Sequence, residues 1–475
     1  MATRSFTANS GTTVALDDAL IDAFQGRFQG EIIQTTDAAY DETRSIWNAM
    51  IDKRPAIIAR CSSSDDVVEA VNFARDNDLL LSVRGSGHNV AGNAVCDGGL
   101  MIDLSTMKDI AVDLENGTVT AQAGVVFGEL DKATQPAGLA VPGGIVSETG
   151  IAGLTLGGGF GWLTRKYGFT CDNLISADIV TADGRLLTAN ANENSELFWG
   201  IRGGGGNFGI ATSFTYQLRE VGPDVVAGLI IYPMEAAADV LRFYRDFTAS
   251  TPEELGTLAV FRTAPPAPFI PEELHGTPIL AVIVCYVGDV EEGERVLQPL
   301  RDFGSPIKDA IQTKSFIAHN TSLDPGQPNG MHYYWKSEYV TEIADGAIDA
   351  IVDAAAKMTS PYSRLAVFQL GGAINNLDEQ AMAVSHRNAE YVIAINTGWA
   401  DPQDNEVEMK WTRDLWAAIR PYSSGVYVNF LSEDDGEDRV RAAYGAEKYG
   451  RLVELKRKYD PQNLFRMNKN IKPAA

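Results

Sequence analysis

Short apolar runs separated by turn residues fill the first half of the chain. Runs of strand length lie at 55–61, 79–85, 99–105 and 117–124. Apolar positions repeat at helical spacing after Ser64, which predicts a helix over 64–77 with Ser64 as its N-cap. With a further helix over 126–138, residues 51–221 are predicted to form a mixed α+β sheet domain. Residues 1–50 are predicted to be a lead-in, with short helices over 1–45.

Longer elements begin at about residue 222. Amphipathic helices are predicted at 233–251 and 346–358, and nearly continuous apolar strands at 278–288, 363–373 and 389–399. This pattern predicts a second domain over residues 222–425, in which helices cover one face of a broad sheet. A basic amphipathic helix within 445–465, stopped by Pro461, fits neither set of helices. We therefore expect residues 426–475 to return to the first domain.

Length and charge limit the possible partners. A chain of 475 residues exceeds the usual size of one hydrophobic core and is expected to form two domains. The formal net charge of −24 argues against nucleic acid and anionic membranes, because both require a basic face. The sequence has no run of about 18 apolar residues and no apolar core near its start that would act as a secretory signal. We expect a cytoplasmic protein; its oligomeric state is not predicted.

Cysteine and histidine spacing gives no sign of a metal site. Cys61, Cys96, Cys171 and Cys285 are scattered without a CxxC pair, which predicts free buried thiols in a reducing compartment. The histidines do not pair with carboxylates at metal-ligand spacing, so no metal is expected.

Three glycine-rich segments lie within about 120 residues, at 84–92, 149–168 and 201–209. None has the context of a nicotinamide-binding βαβ unit. The second segment does not open a long helix, and the third runs into a strand. Several loops of backbone N–H groups could instead converge on one extended pyrophosphate.

His88 lies inside the first of these segments, "RGSGHNVAG". One interpretation is a tight surface turn that happens to contain a polar residue. The other is a cofactor-binding loop with a reactive imidazole, since a neutral imidazole is a nucleophile near physiological pH.

The segments "SVRGSGHNVAGNAVCDGG", "PGGIVSETGIAGLTLGGGFGWLTRKYGFTCDN", "ELFWGIRGGGGNFGIAT" and "YGRLVELKRKYDPQNLFRMNKNI" decide between these interpretations. In this order, and over nearly the whole chain, they resemble the berberine-bridge-enzyme-like branch of the vanillyl-alcohol-oxidase flavoproteins. The resemblance implies an α+β fold: a two-part PCMH-type FAD-binding domain with an inserted substrate domain of antiparallel sheet covered by helices. It also implies that His88 is bonded covalently to the 8α-methyl group of FAD.

The resemblance further implies a set of FAD-binding residues spread over the glycine segments and the C-terminal segment. Besides His88 these are Arg84, Gly85, Ser86, Gly87, Asn89, Gly92, Pro142, Gly143, Gly144, Val146, Thr149, Gly150, Gly153, Leu156, Gly157, Gly159, Gly161, Trp162, Asn173, Ile179, Asn429 and Asn468.

Two family features are absent from this sequence. Many members carry a second flavin tether, a cysteine about eleven residues before the GGG run, where this chain has Val146 and Ser147. A single tether is therefore expected, with Cys171 as a structural thiol. Polar family positions are also occupied by Phe160 and Ala394, which puts the usual sugar and polyphenolic-alcohol substrates in doubt.

Candidate catalytic residues follow from the same resemblance. The family's Tyr-x-Asn element matches Tyr427 and Asn429, and this makes Tyr427 the candidate base. Gln369, Asn396 and the aromatic cluster at 332–335 could line the cavity or merely pack.

The implied activity is oxidation of a small-molecule alcohol or amine by hydride transfer to flavin N5, with O2 as acceptor and H2O2 as product. The alternatives are a dehydrogenase or an oxidative tailoring enzyme of secondary metabolism, and a flavin-binding protein without turnover.

Overall fold

The computed structural model describes residues 3–266 and 270–474. It confirms the predicted α+β fold, in which one mixed sheet and one antiparallel sheet are followed by a large antiparallel sheet with helices on one face. No helix in the described ranges is long and apolar enough to cross a membrane.

The part of the chain up to residue 221 contains short elements. Its strands are β1 Thr3–Thr7, β2 Thr13–Asp17, β3 Glu31–Gln34, β4 Ile57–Arg60, β5 Leu81–Arg84, β6 Leu100–Asp103, β7 Ile110–Asp113, β8 Thr118–Gln122, β9 Leu139–Ala140, β10 Leu174–Val180, β11 Leu186–Asn190, β12 Ile210–Gln217 and β13 Arg219–Glu220. Its α-helices are α1 Asp18–Gln25, α2 Tyr40–Arg44, α3 Ser64–Asp76, α4 Phe127–Thr134, α5 Ile151–Leu156, α6 Thr164–Tyr167 and α7 Ser195–Ile201.

The rest of the chain contains longer strands and helices. Its strands are β14 Asp224–Pro233, β15 Leu255–Thr263, β16 Pro278–Tyr286, β17 Lys308–Asp309, β18 Gln312–Ser315, β19 His332–Val340, β20 Arg364–Gln369 and β21 Tyr391–Trp399. Its α-helices are α8 Ala237–Thr248, α9 Val290–Asp302, α10 Phe316–Asn320, α11 Asp345–Ala356, α12 Asn405–Ile419 and α13 Glu437–Tyr459.

Two sheets make up most of the first part. In the order β3-β4-β6-β5, the strands β4, β6 and β5 run parallel and β3 is antiparallel. The second sheet has the order β11-β10-β12-β8-β7 and is antiparallel. The predicted N-cap of helix α3, Ser64, is wrong by one residue, because Ser64 is already the first residue of the helix. Ser63 is the N-cap, and its hydroxyl accepts a hydrogen bond from the Asp66 N–H at 3.2 Å.

The short helices expected in residues 1–45 are present as α1 and α2, but the strands in this segment were not predicted. These residues also form the β1–β2 hairpin and strand β3, which pairs with β4 and so joins the first sheet. Runs of four or five residues such as "TRSFT" and "EIIQ" are too short to distinguish strand from helix by periodicity, and their pairing partners lie elsewhere in the chain.

The large sheet has the order β17-β14-β16-β15-β20-β21-β19, with β18 also pairing with β14. Its two faces follow the two-residue alternation of a strand. In β15, Leu258 and Val260 pack with the core of the first part, whereas Ala259 and Phe261 pack under the helices. The first of these faces forms one side of the cavity described below.

The C-terminal helix α13 reaches back to the glycine segment at 201–209. It begins at Glu437, earlier than predicted, and kinks at Gly445. The Lys456 ammonium has no exposed surface and donates to the carbonyl of Asn207 at 2.8 Å, to that of Phe465 at 2.9 Å and to the Asp460 carboxylate at 2.7 Å. Asp460 in turn accepts the N–H groups of Leu464 and Phe465. This buried pair fastens the end of the chain to the glycine loop.

Replacing Lys456 with Met is expected to lower the free energy of unfolding by about 3–5 kcal/mol, because the buried Asp460 carboxylate loses its counter-ion. Urea titration of the purified holoprotein, followed by tryptophan fluorescence, measures the change. Lys458→Met is the matched control, since Lys458 is an exposed lysine of the same helix. Equal losses in the two variants would show that the buried pair is not what holds this segment.

Candidate active site

Glycine segments from distant parts of the chain meet where the first part faces the large sheet. The Gly150 N–H donates to the Ser86 hydroxyl at 2.9 Å, which joins the first segment to the second. The Gly203 N–H donates to the Leu156 carbonyl at 3.0 Å, which joins the second to the third. The predicted convergence of glycine loops is present in the fold.

Two adjoining cavities lie between these segments, with volumes of about 210 and 200 Å³. Their walls share Gly85, Asn89, Gly153 and Asn429. The larger cavity ends at the sheet, and the other extends toward the C-terminal segment. Together they form an elongated space suited to a long ligand.

Predicted FAD-binding residues that line one or both cavities are Gly85, Ser86, Gly87, His88, Asn89, Gly144, Val146, Thr149, Gly150, Gly153, Leu156, Asn429 and Asn468. Residues on the same list that line neither are Arg84, Gly92, Pro142, Gly143, Gly157, Gly159, Gly161, Trp162, Asn173 and Ile179.

Several of the residues in the second group are engaged elsewhere. The Asn173 side chain donates to the carbonyls of Tyr167 and Phe169, both at 2.9 Å, and accepts from Arg219 at 2.7 Å. Arg84 turns toward α2 and donates to the Thr43 carbonyl. Both side chains therefore support loops, and neither faces the cavities.

Gly157 shows why small residues are needed behind the cavity wall. A Cβ atom at this position would lie 2.1 Å from Oδ1 of Asn429, so only glycine allows the two segments this close. Asn429 fills that space and donates to the Leu154 carbonyl at 3.3 Å.

His88 lies at one end of the larger cavity. Its ring stacks on the Trp47 indole, with 4.4 Å between the ring centroids. Burial lowers the pKa of His88 to about 4, so the imidazole is neutral at physiological pH. Its Nε2 atom is buried and has no hydrogen-bond partner among the described residues. A neutral, unpartnered imidazole beside an open space is available to a ligand.

Tyr427 faces the same cavity. Its phenol oxygen accepts hydrogen bonds from Nδ2 of Asn429 at 2.9 Å and from the Gly159 N–H at 3.1 Å. Burial raises the pKa of Tyr427 above its ordinary value, although both donors act to lower it. The phenol is thus neutral in the free protein. The two donors occupy its oxygen lone pairs and leave the O–H directed elsewhere.

The other two catalytic candidates have different surroundings. Asn396 lines the larger cavity, and its Nδ2 atom is buried without a partner among the described residues. Gln369 does not line it, and the expectation that it could is wrong. Its amide accepts from Thr257 at 2.8 Å and donates to the Thr248 carbonyl at 3.0 Å, under α8. The neighbouring Phe368 faces the cavity, so strand alternation turns Gln369 to the helix side.

An aromatic wall surrounds Tyr427, and much of it was not predicted. Phe160 lies 4.8 Å from Tyr427, 5.3 Å from Phe368 and 5.8 Å from Phe430, measured between ring centroids. Trp335, from the cluster at 332–335, completes this side of the cavity. The alternation of apolar residues in β20 could have identified Phe368, but the sequence has no signal that brings Trp47 to His88.

Cys171 lines neither cavity. Burial raises the pKa of its thiol well above the ordinary value, and its Sγ atom lies 3.7 Å from Sδ of Met382. This placement is consistent with a structural thiol.

Comparison with known proteins gives matches along nearly the whole chain. A family model described as an FAD binding domain matches residues 55–190, and one described as berberine and berberine like matches residues 426–472. An FAD-linked oxidoreductase of Dictyostelium discoideum is 34% identical over 90% of this chain and 91% of its own. The (R)-6-hydroxynicotine oxidase of Paenarthrobacter nicotinovorans is 31% identical over 94% of this chain and 97% of its own. The crystal structure of 6-hydroxy-D-nicotine oxidase from Arthrobacter nicotinovorans matches with a TM-score of 0.85 at 30% identity, covering 94% of this chain and 98% of that one.

The residues present fit FAD. Gly85 and Gly153 belong to the shared wall, and a Cβ atom on Gly153 would meet no atom within 4 Å, since it would point into open space. Unpartnered buried atoms are found along the length of the space, at His88, Asn396 and Asn468. A long, largely flat ligand with polar groups along its length would satisfy these atoms.

Gly153→Ala is expected to lower the flavin content of the purified protein, because its methyl group would enter the space that both cavities share. Folding should not suffer, since Gly153 lies in helix α5, where alanine is favoured by up to about 1 kcal/mol. The ratio of flavin to protein absorbance measures the first effect, and urea titration of the apoprotein the second. The control is Gly450→Ala, a helical glycine of α13 that also has nothing within 4 Å but lies outside both cavities. Full flavin content in Gly153→Ala would rule out this placement of the cofactor.

Proposed function

This chain belongs to the berberine-bridge-enzyme-like family of FAD-linked oxidoreductases, and we propose that it oxidises a small-molecule alcohol or amine by hydride transfer to FAD, with O2 as final acceptor and H2O2 as product. A relative is named for its action on 6-hydroxynicotine, which is an amine. We also propose a cytoplasmic location, with which four free cysteines agree.

One observation carries this proposal: His88 and the two-donor site around Tyr427 line the same cavity. The imidazole is a group that can hold a flavin ring, and the phenol is a group that can handle a substrate proton. Aromatic and aliphatic side chains form most of the remaining wall, which keeps water away from the reacting atoms. When bound, FAD supplies the acceptor for the hydride of the substrate C–H bond.

We propose that His88 carries the FAD covalently at the 8α carbon, as a single tether. Support comes from its neutral state, its unpartnered Nε2 atom and its place at the end of the cavity. Stacking on Trp47 fixes the plane of the imidazole before any ligand binds. Cys171 cannot serve as a second tether without a large movement, because it lines neither cavity.

The wild-type protein is expected to stay yellow after acid precipitation, whereas His88→Ala should release all its flavin into the supernatant. Because the pKa of His88 is about 4, covalent uptake of FAD by the apoprotein should be constant between about pH 6 and pH 8. An ordinary histidine would titrate within that range. His275→Ala is the control, since that ring bonds to the Ile270 carbonyl away from the cavities. Complete release of flavin by the wild-type protein would disprove the tether.

We propose that the phenolate form of Tyr427, whose fraction grows with pH, accepts the proton of the substrate hydroxyl or amine at its oxygen and becomes the neutral phenol. A phenolate formed there would keep the hydrogen bonds from Asn429 and Gly159, and these bonds strengthen when the oxygen is charged. The unpartnered Nδ2 atom of Asn396 is available to hold the substrate heteroatom from the sheet side. Phe160 and Phe430 keep the phenol ring in place.

Anaerobic bleaching of the yellow protein by a panel of alcohols, amines and sugars tests the function, followed by readmission of air. We expect bleaching by at least one alcohol or amine and return of colour in air. Persistent bleaching in air would indicate a dehydrogenase, and no bleaching a flavin-binding protein without turnover.

With a substrate from that panel, Tyr427→Phe is expected to slow flavin reduction by about 10²–10⁴-fold, measured by anaerobic stopped flow. Burial raises the pKa of Tyr427 above 10, so the phenolate fraction, and with it the wild-type rate, should rise with pH without a plateau below pH 10. The Phe variant should lack this rise. Tyr339→Phe is the control, because Tyr339 lies next to Tyr427 but has no place in the cavity wall. A flat wild-type pH profile, or an unchanged rate in Tyr427→Phe, would assign Tyr427 to packing alone.

A further inference from the structure

We propose that Arg262 and Arg364 form a subsite for an anionic oxygen group of the substrate, so that the molecule oxidised also carries a carboxylate or a phosphate. This inference rests on the proposed function, because it names the substrate class of the same cavity.

The two arginines lie side by side on the large sheet. Arg262 of β15 pairs with Arg364 of β20, and Arg364 pairs with Asn396 of β21. Residues in register on neighbouring strands have Cβ atoms about 4.5–5.5 Å apart and point to the same face. The row therefore runs from Asn396, which lines the larger cavity, directly to the two guanidinium groups.

Strand alternation places this row on the face that forms the cavity. Phe368, four residues beyond Arg364 in β20, lines the cavity, and Val260, two residues before Arg262 in β15, packs into the core on the same side.

Neither arginine has a counter-ion. Within residues 3–266 and 270–474, no carboxylate lies within salt-bridge distance of Arg262 or Arg364. Arg262 donates only to the Thr263 carbonyl, at 3.3 Å, and the Arg364 guanidinium makes no hydrogen bond. By comparison, Arg165 donates to backbone carbonyls and Arg387 to Asp172. Arg262 and Arg364 have no acceptor of comparable strength among the described residues, and a bound anion would supply one.

The surroundings of Arg262 and Arg364 favour the binding of an anion. Burial and the charge of Arg262 lower the pKa of Arg364 to about 9, and burial lowers the pKa of Arg262. Both side chains are only partly buried, so an outside group can reach them. The described wall of the larger cavity contains no Asp, Glu, Lys or Arg, so the two arginines lie just outside it, and an anionic group would reach them by extending past Asn396 along the sheet. In a chain of net charge −24, this pair is the charge nearest to Asn396 on its own sheet face.

The loop that contains Gly326 packs against the Arg364 guanidinium. A Cβ atom on Gly326 would lie 2.0 Å from a terminal guanidinium nitrogen of Arg364, so the guanidinium packs directly on the backbone at Gly326. The next residue, Gln327, lines the larger cavity, and its Oε1 atom is buried without a partner in the described chain. Arg364 thus lies immediately behind the cavity wall. A guanidinium in that position can bind a carboxylate or phosphate through two parallel N–H bonds.

Binding of benzoate, phenyl phosphate and the neutral benzamide to the holoprotein tests the subsite, by isothermal titration calorimetry. We expect benzoate or phenyl phosphate to bind at least about tenfold more tightly than benzamide, and the tighter of the two identifies the oxyanion. Arg262→Gln and Arg364→Gln should each weaken anion binding by about 10- to 100-fold and leave benzamide unchanged. The double variant should lose the preference.

Two further variants separate charge from folding. Arg364→Lys keeps the charge but loses the paired N–H bonds, so its loss should be smaller than that of Arg364→Gln. Arg295→Gln is the control, since Arg295 is exposed and pairs with Glu292 on α9. Equal binding of the three ligands by the wild type, or a preference that survives in the double variant, overturns the proposal. Because binding needs no turnover, this result is independent of whether any alcohol or amine reduces the flavin.

Discussion

The buried ammonium of Lys456 is the interaction on which the rest of the site depends. It joins the end of the chain, through Phe465 and Asp460, to Asn207 in the third glycine segment. The segment that leads into α13 carries Tyr427 and Asn429, so the same return of the chain that places Lys456 also delivers the phenol to the cavity. An ion pair with no exposed surface is stable only when its remaining donors and acceptors are satisfied, and here backbone groups on both sides satisfy them. The site is therefore built from both ends of the sequence, and neither end can form it alone.

The second constraint is the close approach of backbones around the cavities. The Asn429 side chain occupies the place that a Cβ atom at position 157 would take. At Gly153, the absence of a Cβ atom leaves the space beside the backbone open to a ligand. The space for a long ligand thus exists because particular positions beside it carry no side chain. This explains why three glycine segments meet at one site, and why glycines alternate with apolar side chains in its wall.

Much of this site could be predicted from the sequence through its resemblance to a flavoprotein family, because the glycine and histidine motifs that carry the resemblance are short and local. His88, Tyr427 and Asn429 all reach the cavity, as do more than half of the predicted FAD-binding residues. The predictions that were wrong concern features that depend on strand register. Gln369 and Phe368 are neighbours in sequence, and only the pairing of β20 with β15 and β21 decides which of them faces the cavity. Strand β3 and the stacking of Trp47 on His88 were not predicted for the same reason. Each is defined by a contact between residues that lie far apart in the sequence.

Register also explains how the cavity combines neutral catalytic groups with a nearby positive charge. Burial keeps both His88 and Tyr427 uncharged, so a proton leaving a substrate would have to create charge in a poorly solvated space. The arginine pair on the adjoining row of the sheet favours negative charge in that space, and it lies on the side where Asn396 would hold the substrate. An anionic substrate group bound there would neutralise the pair, and the charge on the Tyr427 oxygen would be stabilised by its two donors, Asn429 and Gly159. The anchoring of such a substrate is thus set by two strands whose residues lie about a hundred positions apart in the chain.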